Sequence, residues 1–394
     1  MTKSRSLGDE AAGPLRGIRV VDMSSLISGP YCSQTLADLG AEVIRVESPG
    51  SDVMRTVAPV HNGISAYFEQ VNRGKKSLAV DLKSEEGVDL VRRLCDVSDV
   101  FLQNSRPGVM DRLGLGYEAL RQRNPRLIYV SISGFGEDGP YANRPAYDAV
   151  IQGITGFMPV QGGEEKPAAI RCVVADKTTA LWAANATLAA IVDRERNGGS
   201  GQKVSVNMAS AYSAFMLLEQ MNDLTFRTAV VEMPPKSKSL GSFRTLRTLD
   251  GEVIGMVLQP AQYERFVKAL GREDMLGDER FSNTPSMARH MDILYDAVAA
   301  RVGSMSTQAF LDLMAEVAIP FGKVNTAREF IESPEALHAQ VYVDVDDPEF
   351  GVIRHLNYPG RFELSPANAK RRAPKLGEHN EEIRALLGER VASA

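Results

Sequence analysis

Asp176 is the residue whose type and setting most invite chemistry. It stands in A-D-K-T-T-A, where a strand-like run, Ile170–Val174, gives way to a long helical pattern. An aspartate there can cap a helix by accepting a backbone N–H two or three residues on. At the carboxyl end of a strand and beside a helix N-terminus, the same acid is held ionised and can serve as a nucleophile. Position alone ranks capping, the commoner role, ahead of attack.

Other groups could hold a charged ligand. Asn104-Ser-Arg-Pro-Gly108, followed by Arg112, places an amide and a guanidinium after a strand, a setting suited to phosphate or ribose. Arg112 on a solvated helix face is the plainer reading. Arg73, Lys75, Lys76 and Lys83 gather positive charge around Leu78–Leu82, as a polyphosphate would require, although such runs usually serve solubility. Gly134-Phe-Gly-Glu-Asp-Gly139 has the spacing G-x-G-x-x-G, but Pro140-Tyr-Ala-Asn-Arg-Pro145 follows it. No regular helix can start there, so no helix N-terminus receives a pyrophosphate. His61, His290, His338, His355 and His379 show neither nucleophile–base nor metal spacing, and no metal site is expected.

The elements that must position these groups alternate. Ile18–Asp22 reads as a strand, Pro30–Leu39 as a helix with Gly40 as its stop, and Val43–Glu47 as a strand. This βαβ opening is of the kind that begins nucleotide-binding α/β domains, without the glycine fingerprint. Leu78–Leu82, Val100–Gln103 and Leu127–Ser131 follow as strands, separated by helices at Glu85–Cys95 and Pro107–Arg121, the latter broken at Gly114–Gly116. The pattern predicts a parallel sheet covered by helices, with ligands beyond the carboxyl ends of its strands. The loops Met23–Gly29, Ser48–Asp52, Lys83–Glu85, Asn104–Gly108 and Ser133–Tyr147 then face the ligand.

The helix after Asp176 carries Leu181, Ala184, Leu188, Ile191 and Val192 as its apolar positions and stops at Asn197-Gly-Gly-Ser-Gly201; Gln202–Met208 returns as strand. Met233–Leu240 reads as a linker. Glu252–Leu258 is then a strand, with helices at Ala261–Leu270, Pro285–Arg301 and Thr307–Val317. The expected domains are a disordered tail at 1–16, a large α/β domain at 17–224 and a small α+β domain at 225–330. Residues 331–394, with Val341–Asp346, Arg354–Leu356 and a helix at Glu381–Leu387, are expected to return to the large domain.

At 394 residues the chain is long enough for two domains, and its 44% hydrophobic and 24% charged residues are those of a globular protein. A net charge of −5 argues against nucleic acid as partner. No apolar run reaches membrane-spanning length, the first fifteen residues carry no signal-peptide core, and the scattered Cys32, Cys95 and Cys172 read as reduced thiols. A cytoplasmic location is expected.

Taken together the segments resemble the family III CoA transferases, the group of formyl-CoA transferase, carnitine CoA transferase and the related α-methylacyl-CoA racemases. The marks are G-I-R-V-V-D…G-P, L-G-A-E-V-I-R-V-E-S-P-G-S-D, N-R-G-K-K-S-L-A-V-D-L-K and Q-N-S-R-P-G-V-M-D-R-L-G. S-G-F-G-E-D-G-P-Y…Y-D, V-V-A-D-K-T-T-A, G-Q-K-V-S-V-N-M and L-G-E-H-N continue them, so that the resemblance runs from Gly17 to about Leu387.

The resemblance implies a Rossmann-like large domain, an interlaced homodimer, and an acyl-CoA and a small carboxylic acid as substrates, with no tightly bound cofactor. It makes Asp176 the catalytic aspartate, reversing the order set by position alone. It assigns CoA contacts to Ile27, Ser28, Ser48, Val80, Lys83, Asn104, Ser105, Arg112, Tyr147 and Met208. The family's formyl transferase has Gln, Arg and an aromatic where this chain has Ile27, Ser48 and Ser105, which argues against formyl and oxalate as its groups. The racemases carry a His–Asp pair where this chain has Tyr147-Asp148. Tyr, with a reference pKa of about 10, is poorly suited to exchange an α-proton near neutral pH. The resemblance therefore implies a transferase, with a racemase or a non-catalytic CoA-binding scaffold as the alternatives.

Overall fold

The computed structural model describes residues 13–50, 52–221, 224–226, 228, 243–367 and 371–388. The expected linker at Met233–Leu240 lies outside them. Of the tail expected to be disordered, residues 1–12 also lie outside, whereas Leu15 is already ordered: its side chain is in the core and its N–H donates to Leu39 O at 2.8 Å. The chain divides into two compact units, Met1–Met221 with His338–Ala394, and Asn222–Leu337.

The first unit is built on six strands: β1 (Arg19–Asp22), β2 (Glu42–Glu47), β3 (Lys76–Ala79), β4 (Val100–Gln103), β5 (Ile128–Ser133) and β6 (Lys203–Asn207). All pairings are parallel, in the order β3-β2-β1-β4-β5-β6. This is an α/β fold of doubly wound order, whose direction of winding reverses between β1 and β4. Central strands buried on both faces are near-continuously apolar, as in Val20–Val21, Val43–Ile44 and Val100–Leu102. The outer edge of β3 is covered, as exposed edges must be. His379 N–H donates to Ser77 O at 3.1 Å, and Asn380 Oδ1 accepts from Ala79 N–H at 2.8 Å.

The expected start of the long helix fails, and its expected apolar face holds only in part. No strand forms over Ile170–Val174; the helix begins at Val174 and runs to Arg196, so Asp176 is its third residue and not its cap. Of its expected apolar positions, Ala184 and Ile191 are buried and Leu188 packs against the same core. Leu181 and Val192 are exposed, and the helix packs through Ala180, Ala183, Ala184, Ala190 and Ile191 on a core that includes Cys32, Leu36 and Leu39. Small side chains let this helix approach the helix Ser28–Asp38 closely. That approach positions Asp176.

The cationic run is also corrected. Arg73 and Lys75 are buried and paired, with Asp38 at 2.5 Å and Asp22 at 3.1 Å. Lys76 joins Glu42 and Glu382 at 2.7 and 2.6 Å. Of the four, only Lys83 is exposed without an ion pair.

The second unit has a three-stranded antiparallel sheet of Leu246–Arg247, Glu252–Gly255 and Phe321–Lys323. The helices Pro260–Ala269, Thr284–Gly303 and Thr307–Glu316 bury Phe266, Tyr295, Val298 and Phe310 into its core, giving an α+β unit.

Candidate active site

A parallel sheet places every strand's carboxyl end on one edge, and the expected site residues gather there. Ile27 and Ser28 follow β1, Ser48 follows β2, Val80 and Lys83 follow β3, and Asn104, Ser105 and Arg112 follow β4. Tyr147 ends the loop after β5, and Met208 directly follows β6. They are not alike in access. Lys83 and Arg112 are exposed, Ser48, Asn104 and Ser105 are half-buried, and Val80 and Met208 are buried. Met208 packs with Ile151, Ala175 and Tyr212 beneath the start of the Asp176 helix.

The loop after β1 is held from the far side of the reversal point. Asn104 Oδ1 accepts from Ser25 N–H at 2.9 Å, and its Nδ2 donates to Ser25 O at 2.8 Å. This pins Leu26 at φ 63°, a left-handed conformation that costs a residue with a Cβ about 1 kcal/mol or more. The chain then turns directly into the helix at Ser28. Gly29 is required here because a Cβ would overlap the Ser24 side chain. The first N–H groups of that helix have no acceptor within it, so Ser28 and Gly29 present donors at its positive end.

Asp176 is brought to that end from the other side. Its half-buried carboxylate lies near Ser28, whose hydroxyl and backbone N–H favour its charged form. Burial first, and then the charge of Asp148, push the carboxyl up to about 6, against the stabilising pull of Ser28. The capping work expected of Asp176 is done by Asp148, whose Oδ2 accepts the Asp176 N–H at 3.0 Å. Asp148 is buried and starts the helix Asp148–Ile154; Tyr147, its neighbour, is 69% exposed and makes no capping bond.

An acid so placed can attack an electrophilic carbonyl, with helix N–H donors beside the oxygen where negative charge develops. A separate cavity of about 260 Å³ opens between β4 and β5, lined by Gln103, Ser105, Gly108, Tyr117, Tyr129 and Ser131 among others, and Asp176 does not line it. Among the described residues no group of three or more His, Cys, Asp or Glu could hold a metal, and no helix is long and apolar enough to cross a membrane. In the sequence Asp148 stands out only as Tyr147's neighbour, and Gln152 does not stand out. Their i, i+4 spacing at the start of a helix was the available signal.

The comparisons place this architecture among the CoA-transferases. Succinate–glutarate CoA-transferase of Agrobacterium fabrum is 32% identical over 383 residues, covering 95% of this chain and 96% of that protein. Succinyl-CoA–D-citramalate CoA-transferase of Chloroflexus aurantiacus is 32% identical, covering 94% and 93%. The crystal structure of a CaiB/BaiF family protein from Brucella suis superposes with a TM-score of 0.83 at 34% identity, covering 95% of this chain and all of that one. The chain matches CoA-transferase family III over residues 15–380 and belongs to that family.

Proposed function

We propose that the enzyme moves CoA from an acyl-CoA thioester to a carboxylic acid through covalent intermediates on Asp176. The observation that carries this reading is the half-buried Asp176 carboxylate near Ser28 at a helix N-terminus, on a helical turn whose Asp176 N–H is held by Asp148. The carboxylate attacks the thioester carbonyl, the C–S bond breaks, and a mixed anhydride and CoA thiolate result. The thiolate attacks the aspartyl carbonyl, the donor acid leaves as carboxylate, and an aspartyl-CoA thioester remains. The acceptor carboxylate then attacks that thioester, and the thiolate released attacks the acceptor's acyl carbon, freeing Asp176. Each bond made replaces one of similar energy, so thioester energy is conserved. The N–H groups of Ser28 and Gly29 stabilise the oxyanions of these additions.

Lys83 and Arg112, exposed and without ion pairs, are available for the phosphates of CoA, while Ile27, Ser48, Val80, Asn104, Ser105, Tyr147 and Met208 line the remaining path. The named relatives act on succinyl, glutaryl and citramalyl groups, so a donor and acceptor panel of short diacids is the first screen. Hydroxylamine added during turnover should inactivate the enzyme and leave a hydroxamate on the Asp176 peptide, read by mass spectrometry. Full activity in hydroxylamine, with solvent deuterium entering the acyl α-carbon, would instead mark the racemase reading. A CoA-binding scaffold would yield no product with any acid in the panel.

The functional form is read as an interlaced homodimer in the cytoplasm. Leu181, Trp182 and Val192 on the long helix are 51%, 44% and 51% exposed, and Ile154, Phe215 and Leu218 are exposed with them. So much apolar surface in one unit calls for a cover. Sedimentation of the full chain should give twice the monomer mass of 42.9 kDa at micromolar concentration; a lone monomer would exclude it.

A further inference from the structure

Two tight backbone turns, Cys172 N–H to Ile170 O and Val174 N–H to Cys172 O at 2.8 Å each, and one side-chain amide hold the entrance to the Asp176 helix. Arg171, Cys172 and Val173 are exposed, so no packing fastens them. The helix N-cap, Val173, makes no side-chain capping bond. The backbone on either side is tied instead to Gln152. Gln152 Oε1 accepts from Ile170 N–H at 2.8 Å. Its Nε2 donates to Ile170 O at 3.3 Å and Cys172 O at 3.2 Å. The same Nε2 donates to Asp148 Oδ1 at 2.6 Å, while Asp148 Oδ2 takes the Asp176 N–H.

We propose that Gln152 is a positioning residue for transfer: its amide, with Asp148, clamps the Ile170–Val173 segment and the first helical turn so that the Asp176 carboxylate points at the thioester carbonyl. The inference rests on the reading of Asp176 given above. Gln152 is 2% exposed and touches no substrate path, so it acts only through the backbone it holds. Gln152 supplies the acceptor for Ile170 N–H and adds a second donor to Ile170 O and Cys172 O, which also accept from Cys172 N–H and Val174 N–H at 2.8 Å, so the segment is tied at several points. Attack on a carbonyl demands near-contact geometry, and a displacement of about 1 Å can cost roughly 10²-fold in rate. No hydrogen bond or ion pair joins Gln152 to Lys83 or Arg112, the two cations proposed for the CoA phosphates.

The test uses two variants of the full-length enzyme. Gln152→Met keeps the volume and removes every hydrogen bond. Gln152→Glu keeps the length and the acceptor for Ile170 N–H but cannot donate to the two carbonyls or to Asp148. Both should lose roughly 10- to 100-fold in kcat, measured well below their unfolding midpoints, with the KM for acyl-CoA within about threefold of the parent. A role limited to holding the fold predicts a lower unfolding midpoint with kcat unchanged. That result, or a loss carried by KM alone, overturns the proposal. Asp176→Ala is assayed beside them. Should it retain turnover, the reading of Asp176 itself fails; should it be silent while both Gln152 variants turn over normally, only the clamp is wrong.

Discussion

Asp176→Ala should lower CoA transfer by about 10⁴-fold or more, the scale on which enzymes lose rate when a covalent nucleophile is removed. The variant should also fold at least as well as the parent. Burial and the Asp148 charge hold the Asp176 carboxyl up to about 6, above its reference of 3.8. A raised carboxyl binds its proton more tightly in the folded chain, so folding is favoured at low pH and loses that contribution as pH rises through 6. At pH 8 the ionised acid costs the native state on the order of 3 kcal/mol or less. Alanine removes this cost. The unfolding midpoint of the variant relative to the parent should therefore rise between pH 4 and pH 7, the reverse of the behaviour of a salt-bridged acid. A variant that transfers CoA within tenfold of the parent would sink the covalent route; one that is silent because it is unfolded would sink the electrostatic account.

The same elevated carboxyl bears on which way the anhydride divides. On the proposed route the CoA thiolate can attack either carbonyl of the mixed anhydride. Attack on the acyl side expels Asp176 and merely reverses the first step. Attack on the aspartyl side expels the donor acid and moves the reaction on. The weaker base leaves more readily, and an ordinary carboxylic acid near the reference range of about 4 is a weaker base than a carboxylate of about 6. Asp148 therefore does two jobs with one side chain. One oxygen accepts the Asp176 N–H, and on the proposed route its charge adds to the larger effect of burial in making Asp176 the better nucleophile and the poorer leaving group.

Much of the frame was legible from local pattern. Val100–Gln103 has the same bounds in the structure as in the sequence reading, and β1 and β2 differ from it by a residue at one end, because strands buried on both faces announce themselves as short apolar runs. Ile170–Val174 has the same apolar texture, yet it finds no neighbouring strand and leaves Arg171, Cys172 and Val173 in solvent. Apolar character decides strand formation only where the sheet has an open edge, and the edge beyond β5 is taken by Lys203–Asn207. The long helix was legible at Ala184, Leu188 and Ile191 but not at Leu181 and Val192, for a related reason. Its buried face is chosen by how close the next helix must come, so alanines are inside and Leu181 outside. Asn104 stands out in the sequence as a candidate after a strand; that both ends of its amide go to Ser25 was not legible there. The pairing of Lys75 with Asp22, 53 positions away, lay equally beyond any local reading.

Lys75→Met should destabilise the protein by about 3–5 kcal/mol, the range for breaking one side of a buried ion pair. The Lys75 ammonium is fully enclosed. It donates to Asp22 Oδ2 at 3.1 Å, Pro30 O at 2.9 Å, Ser33 Oγ at 2.7 Å and Asn72 Oδ1 at 2.9 Å. Burial pushes it down to about 8 in spite of the Asp22 charge. For Asp22 burial acts the other way, but Lys75 and Arg45, with the hydroxyls of Ser24 and Ser33, outweigh it and hold the carboxyl below its usual range. Methionine leaves the acid with Arg45 at 3.7 Å as its remaining cation and takes one donor from Pro30 O, Ser33 Oγ and Asn72 Oδ1, which keep Ser33 Oγ, Asp22 and Arg45 as their other partners. In a unit of this size the loss corresponds to a fall of roughly 10 °C in the unfolding midpoint. The effect should reach the active site, because the Pro30 carbonyl and Ser33 belong to the helix whose first residue, Ser28, meets Asp176. Adding Asp22→Asn to Lys75→Met removes the stranded charge, so the double variant should be less destabilised than the sum of the two single changes, by 1 kcal/mol or more on the scale of coupled neighbours. Additive losses would mean that the pair does not act as a unit, and a midpoint for Lys75→Met within about 2 °C of the parent would mean that Arg45 alone suffices to hold Asp22 in place.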